Sequence, residues 1–307
     1  MARYIWRRLW GIIPTLLVII TLAFFLIRVA PGGPFDTERS VAPEIAANMA
    51  IAYHLDQPLP VQYGYYLLQV LQGDFGPSFK YKDHSVNDLI AQGFPVSLQL
   101  GLTAMLLALL IGLPAGIIAA LHQNRPLDYG IMMLAMTGIT IPNFITAPLL
   151  ALIFGVTLHW LPVAGWHGDW QSAILPIIAL ALPQMAYAAR LMRASMLETL
   201  SSPHIRTAKA KGLPTLLILR RHVLKAALLP VLSWLAPATA AIITGSVVIE
   251  QIFGIPGIGR HFVQGALNRD YTLVMGVVIF YAILIMIMNL LADVIYGLID
   301  PRVRYES

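Results

Sequence analysis

Long apolar stretches without charged residues alternate with short polar segments along the whole chain. A helix needs about 20 apolar residues to cross the hydrocarbon core of a bilayer. The first stretch is too long for a signal-peptide core and lacks a clear cleavage site, so it is interpreted as an uncleaved signal anchor. The pattern predicts an all-α polytopic membrane protein with six transmembrane helices. They fall at 9–27, within 95–121, within 129–158, and at 170–189, 226–249 and 272–292.

Composition agrees with this class and narrows the chemistry. Of the 307 residues, 58% are hydrophobic and only 11% are charged, and the mean hydropathy is +0.74. Soluble domains carry about 25% charged residues. The lack of cysteine excludes disulfides, thiolate metal sites and cysteine nucleophiles. The net charge of +5 does not indicate nucleic acid as a partner, because the basic residues follow the predicted membrane topology.

Arginine and lysine are unevenly distributed between alternate loops, and this sets the predicted orientation. Cytoplasmic loops carry an excess of these residues. Fourteen of the 20 lie in the two termini and in the loops after the second and fourth apolar stretches, and six lie on the other side. Both termini are therefore predicted to be cytoplasmic.

Polar and Gly/Pro-rich segments divide the chain into three predicted parts. Residues 1–30 hold the N-terminal end and the first transmembrane helix. Residues 31–94 form an external insert, which either meets an extracytoplasmic partner or simply caps the spans. Residues 95–307 form a five-helix core, which includes a cytoplasmic loop at 194–225.

Three short helices are predicted in the external insert. The first covers about 43–53, the second begins at Pro60 and ends at Gly73, and Ser85 caps a third ahead of Pro95. An apolar stripe on the second helix lies either on the membrane surface or against the spans. The stripe consists of Tyr63, Tyr66, Leu67 and Val70.

Several residues inside the spans are unusual for membrane helices. Gly112 and Gly116 permit close helix packing on either side of Pro114. Arg28 is expected to snorkel to the interface, with contact to a substrate as the alternative. Repeated prolines suit helices that bend around a pathway, although static bundles also contain them. They occupy positions 142, 148, 176, 183, 230 and 237.

Two acidic residues lie near the ends of spans. Asp293, with Asn289 nearby, is either a functional group or the structural partner of Arg190 or Arg193. Glu250 directly precedes the Gly/Pro-rich stretch 252–259, which is predicted to be a tight re-entrant or surface loop at the mouth of a pore.

A short basic helix is predicted in the loop after the fourth span. Ser202 is a suitable N-cap, and Pro203 suits the first helical position. Gly212 suits the position after the last turn, and Pro214 prevents continuation. A loop that only joined two spans would not need such a helix. It is therefore interpreted as a docking element for a cytosolic partner.

The sequence contains no recognisable catalytic or metal-binding motif. It lacks Gly-x-x-x-x-Gly-Lys-Ser/Thr, His-Glu-x-x-His and Gly-x-Ser-x-Gly, and its eight histidines are scattered without an i, i+4 pair. An intramembrane aspartyl protease would need a second buried acid beside Asp293. Neither internal repeats nor several buried charges mark a self-contained secondary transporter. No catalytic residue and no metal ligand is therefore predicted.

The basic loop and several other motifs together resemble the binding-protein-dependent ABC importer permeases, and in particular their dipeptide/oligopeptide branch. The loop reads His204-Ile205-Arg206-Thr207-Ala208-Lys209-Ala210-Lys211-Gly212-Leu213. Further matching segments lie at 221–225, 228–230, 28–32, 73–76, 253–259, 268–271 and 300–305. The general importer loop has Glu-Ala-Ala and then Gly, where this chain has Arg206, Thr207, Ala208 and Gly212. The peptide branch shares this variant.

The resemblance implies a type I importer permease fold and a set of partners. These are a second, homologous permease, two ATPases that bind ATP and Mg²⁺, a periplasmic peptide-binding protein and the inner-membrane lipid bilayer. No cofactor is expected in this chain. The coupling helix would run from Pro203 to Gly212, with Ile205 and Ala208 filling a groove in an ATPase and Arg206 and Lys209 meeting acidic partners.

The pathway residues and the cargo follow less directly. Polar or flexible residues of the spans are candidates for the pathway, although packing is the default for Met185 and Tyr187. The candidates are Asn143, Gln184, Met185, Tyr187 and Thr244. The predicted cargo is an oligopeptide, with a dipeptide, glutathione or a metal chelate as alternatives, since this fold does not fix cargo. A membrane scaffold without transport is the rival class.

Overall fold

The computed structural model describes residues 2–29, 56–81 and 83–299, with 2–9 and 295–299 as backbone only. The helix expected near 43–53 lies outside these residues. The described chain is helical, and two π-helical segments, Ala151–Thr157 and Leu219–Val223, continue α5 and α8. The helices are α1 (Ala2–Val29), α2 (Leu59–Leu71), α3 (Val86–Leu121), α4 (Pro126–Thr140), α5 (Asn143–Leu150), α6 (Trp170–Ser201), α7 (Pro203–Ala210), α8 (Thr215–Ile218), α9 (Leu224–Gly245), α10 (Val247–Phe253), α11 (Ile258–Leu267) and α12 (Tyr271–Ile299).

Five of the predicted spans are helices long and apolar enough to cross a membrane, and a sharply bent pair stands at the sixth. The pair consists of Pro126–Thr140 and Asn143–Thr157, which meet at 102°. Ile141 has extended backbone angles, as expected for a residue that precedes proline, and Pro142 cannot donate a helical hydrogen bond. The sequence predicted one span here, and the structure breaks it in the middle.

Helix α3 is continuous where a break was expected. Ser85 caps it as predicted: its hydroxyl oxygen accepts from Asp88 N, and the Asp88 carboxylate accepts from Ser85 N. The expectation of a short helix that ends ahead of Pro95 is wrong, because α3 runs through Pro95 and Pro114 to Leu121. Proline is tolerated inside membrane helices where neighbouring groups satisfy the freed backbone atoms. The division of the chain at residues 94 and 95 stays a prediction.

The closest helix contact joins α3 to α6, as the two glycines predicted. A Cβ atom on Gly112 would stand 2.6 Å from the carbonyl oxygen of Met185, and one on Gly116 would stand 2.4 Å from that of Ala189. Any larger residue would push the helices apart. Small residues at such contacts are the usual means by which membrane helices associate, since apolar lipid gives no hydrophobic drive for it.

Helix α2 packs on the spans rather than standing apart from them. Its stripe of Tyr63, Tyr66, Leu67 and Val70 contacts an apolar cluster that includes Phe24 of α1 and Ile279 of α12. This resolves the choice left open by the sequence. Arg28 also turns to α2: its guanidinium lies 3.6 Å from the centre of the Phe24 ring, and its Nε donates to Gln62 Oε1 at 3.1 Å.

Because the chain has no cysteine, single-cysteine variants can test whether the bent pair is one span. Gln123 precedes α4 and Ala164 follows the π-helical segment, and both are exposed. If the pair crosses the membrane, Gln123→Cys and Ala164→Cys lie on opposite sides. A membrane-impermeant maleimide added to intact spheroplasts should then label only one of the two variants. If both variants are labelled in intact spheroplasts, or both only after lysis, the two positions lie on the same side of the membrane. Either result would show a re-entrant loop instead.

Candidate coupling surface and translocation pathway

The predicted basic helix exists as α7, and Ser202 stands at its N-cap with Pro203 in the first turn. The Ser202 hydroxyl does not cap the helix. It donates instead to the carbonyl oxygen of Thr199 at 2.5 Å, at the end of α6. The predicted side-chain cap is therefore wrong, although the position is right. Ser202 acts as the corner between α6 and α7.

The C-terminal end of α7 is a Schellman motif. Gly212 has a φ of +73°, in the left-handed region that favours glycine. Its N–H donates to the carbonyl oxygen of Lys209 at 3.0 Å, and the N–H of Leu213 donates to that of Ala208 at 3.3 Å. These two bonds satisfy carbonyl groups that a helix end otherwise leaves free. The helix stop predicted from Gly212 is confirmed.

One face of α7 is buried within this chain. Ile205 and Ala208 pack into an apolar cluster formed by the ends of α3, α6 and α9 with the segment between α7 and α9. The expectation that these two residues fill a groove in a partner is therefore wrong in this conformation. Their i, i+3 spacing was read correctly as one face, but the sequence did not show that the face points inward. The cluster also contains Ala120, Met192, Met196, Ile218, Val223, Ala227 and Val231.

The opposite face of α7 is exposed and basic. Arg206 and Lys209 share it, as their spacing predicted, and Lys211 follows at the C-cap. Sequence reasoning missed Leu216 of α8, whose side chain is 67% exposed beside this face. The remaining exposed residues of the predicted coupling segment are Pro203, His204, Thr207, Ala210 and Gly212. The surface therefore offers cations and one apolar side chain to a partner.

A bidentate ion pair joins the end of α6 next to α7 to the first turn of α4. Arg193 Nε and Nη2 donate to the two carboxylate oxygens of Asp128 at 2.6 and 2.7 Å. Asp128 is buried and also accepts from Asn124 N at 3.0 Å. The sequence analysis missed this partner. An acid in the first turn after Pro126 was the available signal, because helix N-termini favour negative charge.

Asp293 therefore does not pair with Arg193. It lines a recess between α1 and α12 together with Asn289 and Thr15. Arg190, the other suggested partner, lies elsewhere: its Nη1 is 3.9 Å from Met136 Sδ, and its Cζ is 5.7 Å from the centre of the Tyr187 ring. The structural pair expected for Asp293 with either arginine is wrong.

At the end of the bundle far from α7, Glu250 is fully buried and holds three elements together. Its Oε1 accepts from the hydroxyls of Ser97 on α3, at 2.7 Å, and Ser246, at 2.5 Å. Its Oε2 accepts from Arg260 N in the first turn of α11 at 3.2 Å. The Gly/Pro-rich stretch is a tight turn, as predicted. It is packed against this carboxylate, so that a Cβ on Gly257 would stand only 2.4 Å from Glu250.

Two further polar groups belong to this end. Asp270 precedes α12 and is buried. It accepts from the Ser78 hydroxyl, from the backbone N–H groups of Phe79 and Lys80 at 3.2 and 3.3 Å, and from Thr272 Oγ1 at 3.0 Å. On α11, burial and the charge of Arg260 lower the pKa of His261, so the imidazole stays neutral at pH 7. Asp270 thereby ties the loop before α3 to the start of α12.

The five predicted pathway residues are spread over three elements. Asn143 begins α5 directly after the bend, and Thr244 donates to Ala240 of its own helix at 2.9 Å. Gln184 is half-buried on α6, and Met185 packs against the apolar core, as the default reading expected. Tyr187 is 41% exposed. No group of three or more His, Asp or Glu side chains in the described part of the chain could hold a metal ion.

Tyr187 belongs to an open groove between α6 and α9. Its ring stacks on that of Trp234, with centroids 5.3 Å apart and planes at 19°. Arg190 lies one turn further along α6. The groove is lined by Tyr187, Leu191, Leu229, Pro230, Ser233 and Trp234. The sequence analysis named Tyr187 but not Trp234, because only the fold brings the two helices together.

This arrangement of spans, buried outer turn and exposed basic helix agrees with comparisons of the whole chain. The profile of the family described as "Binding-protein-dependent transport system inner membrane component" matches residues 112–305, and the profile of its N-terminal part matches residues 1–101. The chain belongs to this family. It is accordingly a multi-pass inner-membrane component of a transport system rather than an enzyme.

Curated relatives match over nearly their whole length. The oligopeptide transport system permease protein OppB of Escherichia coli K12 is 55% identical over 99% of this chain and 100% of its own. OppB of Haemophilus influenzae is 51% identical over the same shares, and the dipeptide transport system permease protein DppB of Bacillus subtilis is 48% identical over 100% and 99%.

Solved structures share the fold. A chain of the MetNI methionine ABC transporter in inward facing conformations superimposes with a TM-score of 0.60 and 18% identity. The match covers 69% of this chain and 96% of that one. The architecture is therefore that of a type I ABC importer permease, as the sequence predicted.

Removal of the Asp128 charge tests the ion pair. Asp128→Asn leaves Arg193 without its carboxylate, and we expect this to cost about 2 kcal/mol, below the roughly 3–5 kcal/mol of a fully buried pair because Arg193 is 25% exposed. The midpoint of thermal unfolding in detergent should fall by several degrees. Glu198→Gln, an exposed carboxylate on the same helix, is the control and should change little. Equal midpoints for the two variants would contradict a structural role of the pair.

Proposed function

We propose that this chain is a permease subunit of an ATP-driven importer that carries oligopeptides across the inner membrane, with both termini in the cytoplasm. The observation that carries the proposal is the packing of α7 against the ends of the spans. A capped helix with a basic outer face is anchored through Ile205 in the ends of three spans. The names of the curated relatives support a peptide cargo. Dipeptides are the second candidate, because the Bacillus subtilis relative is a dipeptide permease.

The proposed assembly supplies what this chain lacks. A second homologous permease completes the pathway as a heterodimer, and two ATPases bind ATP and Mg²⁺ below it. A periplasmic peptide-binding protein delivers cargo. We assign no cofactor to this chain, whose sequence contains no P-loop for ATP. Glutathione, a metal chelate or a scaffold role remain alternatives that the partner proteins would distinguish.

The coupling mechanism follows from the way α7 packs against the spans. Closure of the ATPases moves the exposed face of α7, which presents Arg206 and Lys209 to them, together with the exposed Leu216 of α8. The buried Ile205 and Ala208 pass that displacement to α3, α6 and α9. ATP thereby acquires different binding energies in the inward-open and outward-open states, which alternating access requires. The whole segment Pro203–Gly212 is assigned to coupling.

Pathway residues remain part of the proposal. We keep as candidates Asn143 at the bend, Gln184 and Tyr187 on α6, and Thr244 on α9, which carry polar or aromatic groups. Met185 is assigned to packing in the first place, because its side chain contacts the apolar core. A permease for many peptides should lack a tight site for any one side chain.

Purification of the chain from native membranes in a gentle detergent, with mass spectrometry of associated proteins, tests the assembly. Recovery of a second six-span permease and two P-loop ATPases supports the proposal, and the ligand of any co-purifying binding protein identifies the cargo. Recovery of the chain alone, under conditions that keep known importers intact, would contradict it.

Gly212→Asp tests the coupling assignment. The change places a Cβ in a left-handed residue and a negative charge on the basic face, at the helix stop. We expect peptide uptake to fall about tenfold, while ATP hydrolysis continues and membrane insertion is unchanged.

Gly168 provides a matched control for this variant. It has a φ of +77° and open space around its α-carbon, like Gly212, but lies at the far end of the bundle. Gly168→Asp introduces the same backbone strain and charge and should leave coupling intact. Normal coupled uptake in Gly212→Asp, or an equal loss in both variants, would refute the assignment of α7 to coupling.

A further inference from the structure

Arg190 is an exposed cation at the α7 end of the α6 span, and it has no carboxylate partner among the described residues. It follows Trp170, the first residue of α6, by about 20 residues, which correspond to about 30 Å of helix. This is close to the thickness of the hydrocarbon core. Arg193 is neutralised by Asp128 one turn later, whereas Arg190 is exposed and contacts only Met136 and the Tyr187 ring.

At the boundary of the hydrocarbon core, the long side chain of an arginine extends toward water rather than toward lipid tails. Charged side chains in membrane spans face the bundle interior or a water-filled cavity, because contact with hydrocarbon is costly. The face of α6 around Arg190 therefore borders water or polar ligand in the assembled transporter.

The neighbouring surface of α9 leads to the same conclusion independently. Helices α1, α3, α4 and α5 expose many large apolar side chains, as lipid-facing or partner-facing helices do. No large apolar side chain of α9 is exposed. Its exposed residues are small or polar, or prolines: Lys225, Pro230, Ser233, Pro237, Ala241 and Gly245. Arg190 thus stands beside a surface that is unsuited to lipid.

Arg190 stands at the edge of the groove between α6 and α9, where it contacts Tyr187 of the groove wall, and the groups there fit a carboxylate. A guanidinium binds a carboxylate with two parallel hydrogen bonds, and such charge-assisted bonds are the strong ones. The stacked rings of Tyr187 and Trp234 form a flat wall beside it, which tolerates side chains of many shapes. The Ser233 hydroxyl donates to Leu229 of its own helix at 3.1 Å and keeps lone pairs for a ligand donor.

We propose that Tyr187, Arg190 and Trp234 form a station of the translocation pathway that receives the C-terminal carboxylate of the passing peptide. The proposal rests on the proposed peptide import. Arg190 lowers the cost of moving an anion through a passage of low dielectric constant, and the aromatic wall contacts the rest of the chain without selecting a side chain.

The test compares two probes in the complete complex reconstituted in liposomes. Initial ATP-driven uptake, with saturating binding protein, is measured for trialanine and for its C-terminal amide. Arg190→Gln should lower uptake of trialanine about tenfold and that of the amide less than twofold, each relative to wild type. Arg190→Lys should retain part of the trialanine uptake. Arg125→Gln removes an exposed arginine in the turn before α4 and should change neither.

Charge reversal keeps the test decisive if the amide is delivered poorly. Arg190→Glu should lower trialanine uptake further than Arg190→Gln does, because a negative charge repels the carboxylate. Equal losses for both probes, or losses that follow the anionic lipid content of the liposomes, would overturn the assignment. So would unchanged uptake. Failure of the wild-type complex to take up either probe would instead refute peptide import itself.

Discussion

The backbone contact between α3 and α6 is the constraint on which the rest of the structure depends. Gly112 and Gly116 leave no room for a side chain between the two helices, so α3 rests directly on the carbonyl groups of α6. In a bilayer, such close packing replaces the hydrophobic drive that is absent between helices. Both ends of the molecule are built on this pair. Helix α3 brings Ser97 to the far end, and α6 brings Arg193 and α7 to the other.

At the far end, two buried carboxylates connect the surrounding elements through hydrogen bonds from uncharged donors. Glu250 and Asp270 are fully buried, yet each accepts several hydrogen bonds from hydroxyl and backbone N–H groups. Such bonds satisfy a carboxylate at less cost than an isolated buried charge. Because the donors come from α3, α9–α11 and the loop before α3, the two acids fix the external turns to the spans. This end is therefore rigid, and the exposed, cationic surface lies at the other.

The sequence revealed what local signals determine. Apolar length gave the spans, Ser85 with Asp88 gave the start of α3, and the left-handed preference of glycine gave the stop at Gly212. It could not reveal contacts between distant residues. Nothing local shows that Ile205 turns into the chain, that Asp128 rather than Asp293 takes Arg193, or that Tyr187 meets Trp234. Pro142 was visible, but proline inside α3 is tolerated, so the sequence alone did not distinguish a break from a continuous span.

Helix α6 collects these contacts at the end that carries α7. Within about four turns it meets Trp234 of α9 through Tyr187, Asp128 of α4 through Arg193, and α7 through Ser202. A displacement of α7 reaches α9 directly through the cluster around Ile205, whereas its link to α4 runs through this part of α6. Since α4 ends at the 102° bend, the Asp128–Arg193 pair links α6 and the adjoining α7 to the bent span. The groove between α6 and α9 adjoins these contacts, so we expect a displacement of α7 to change its width.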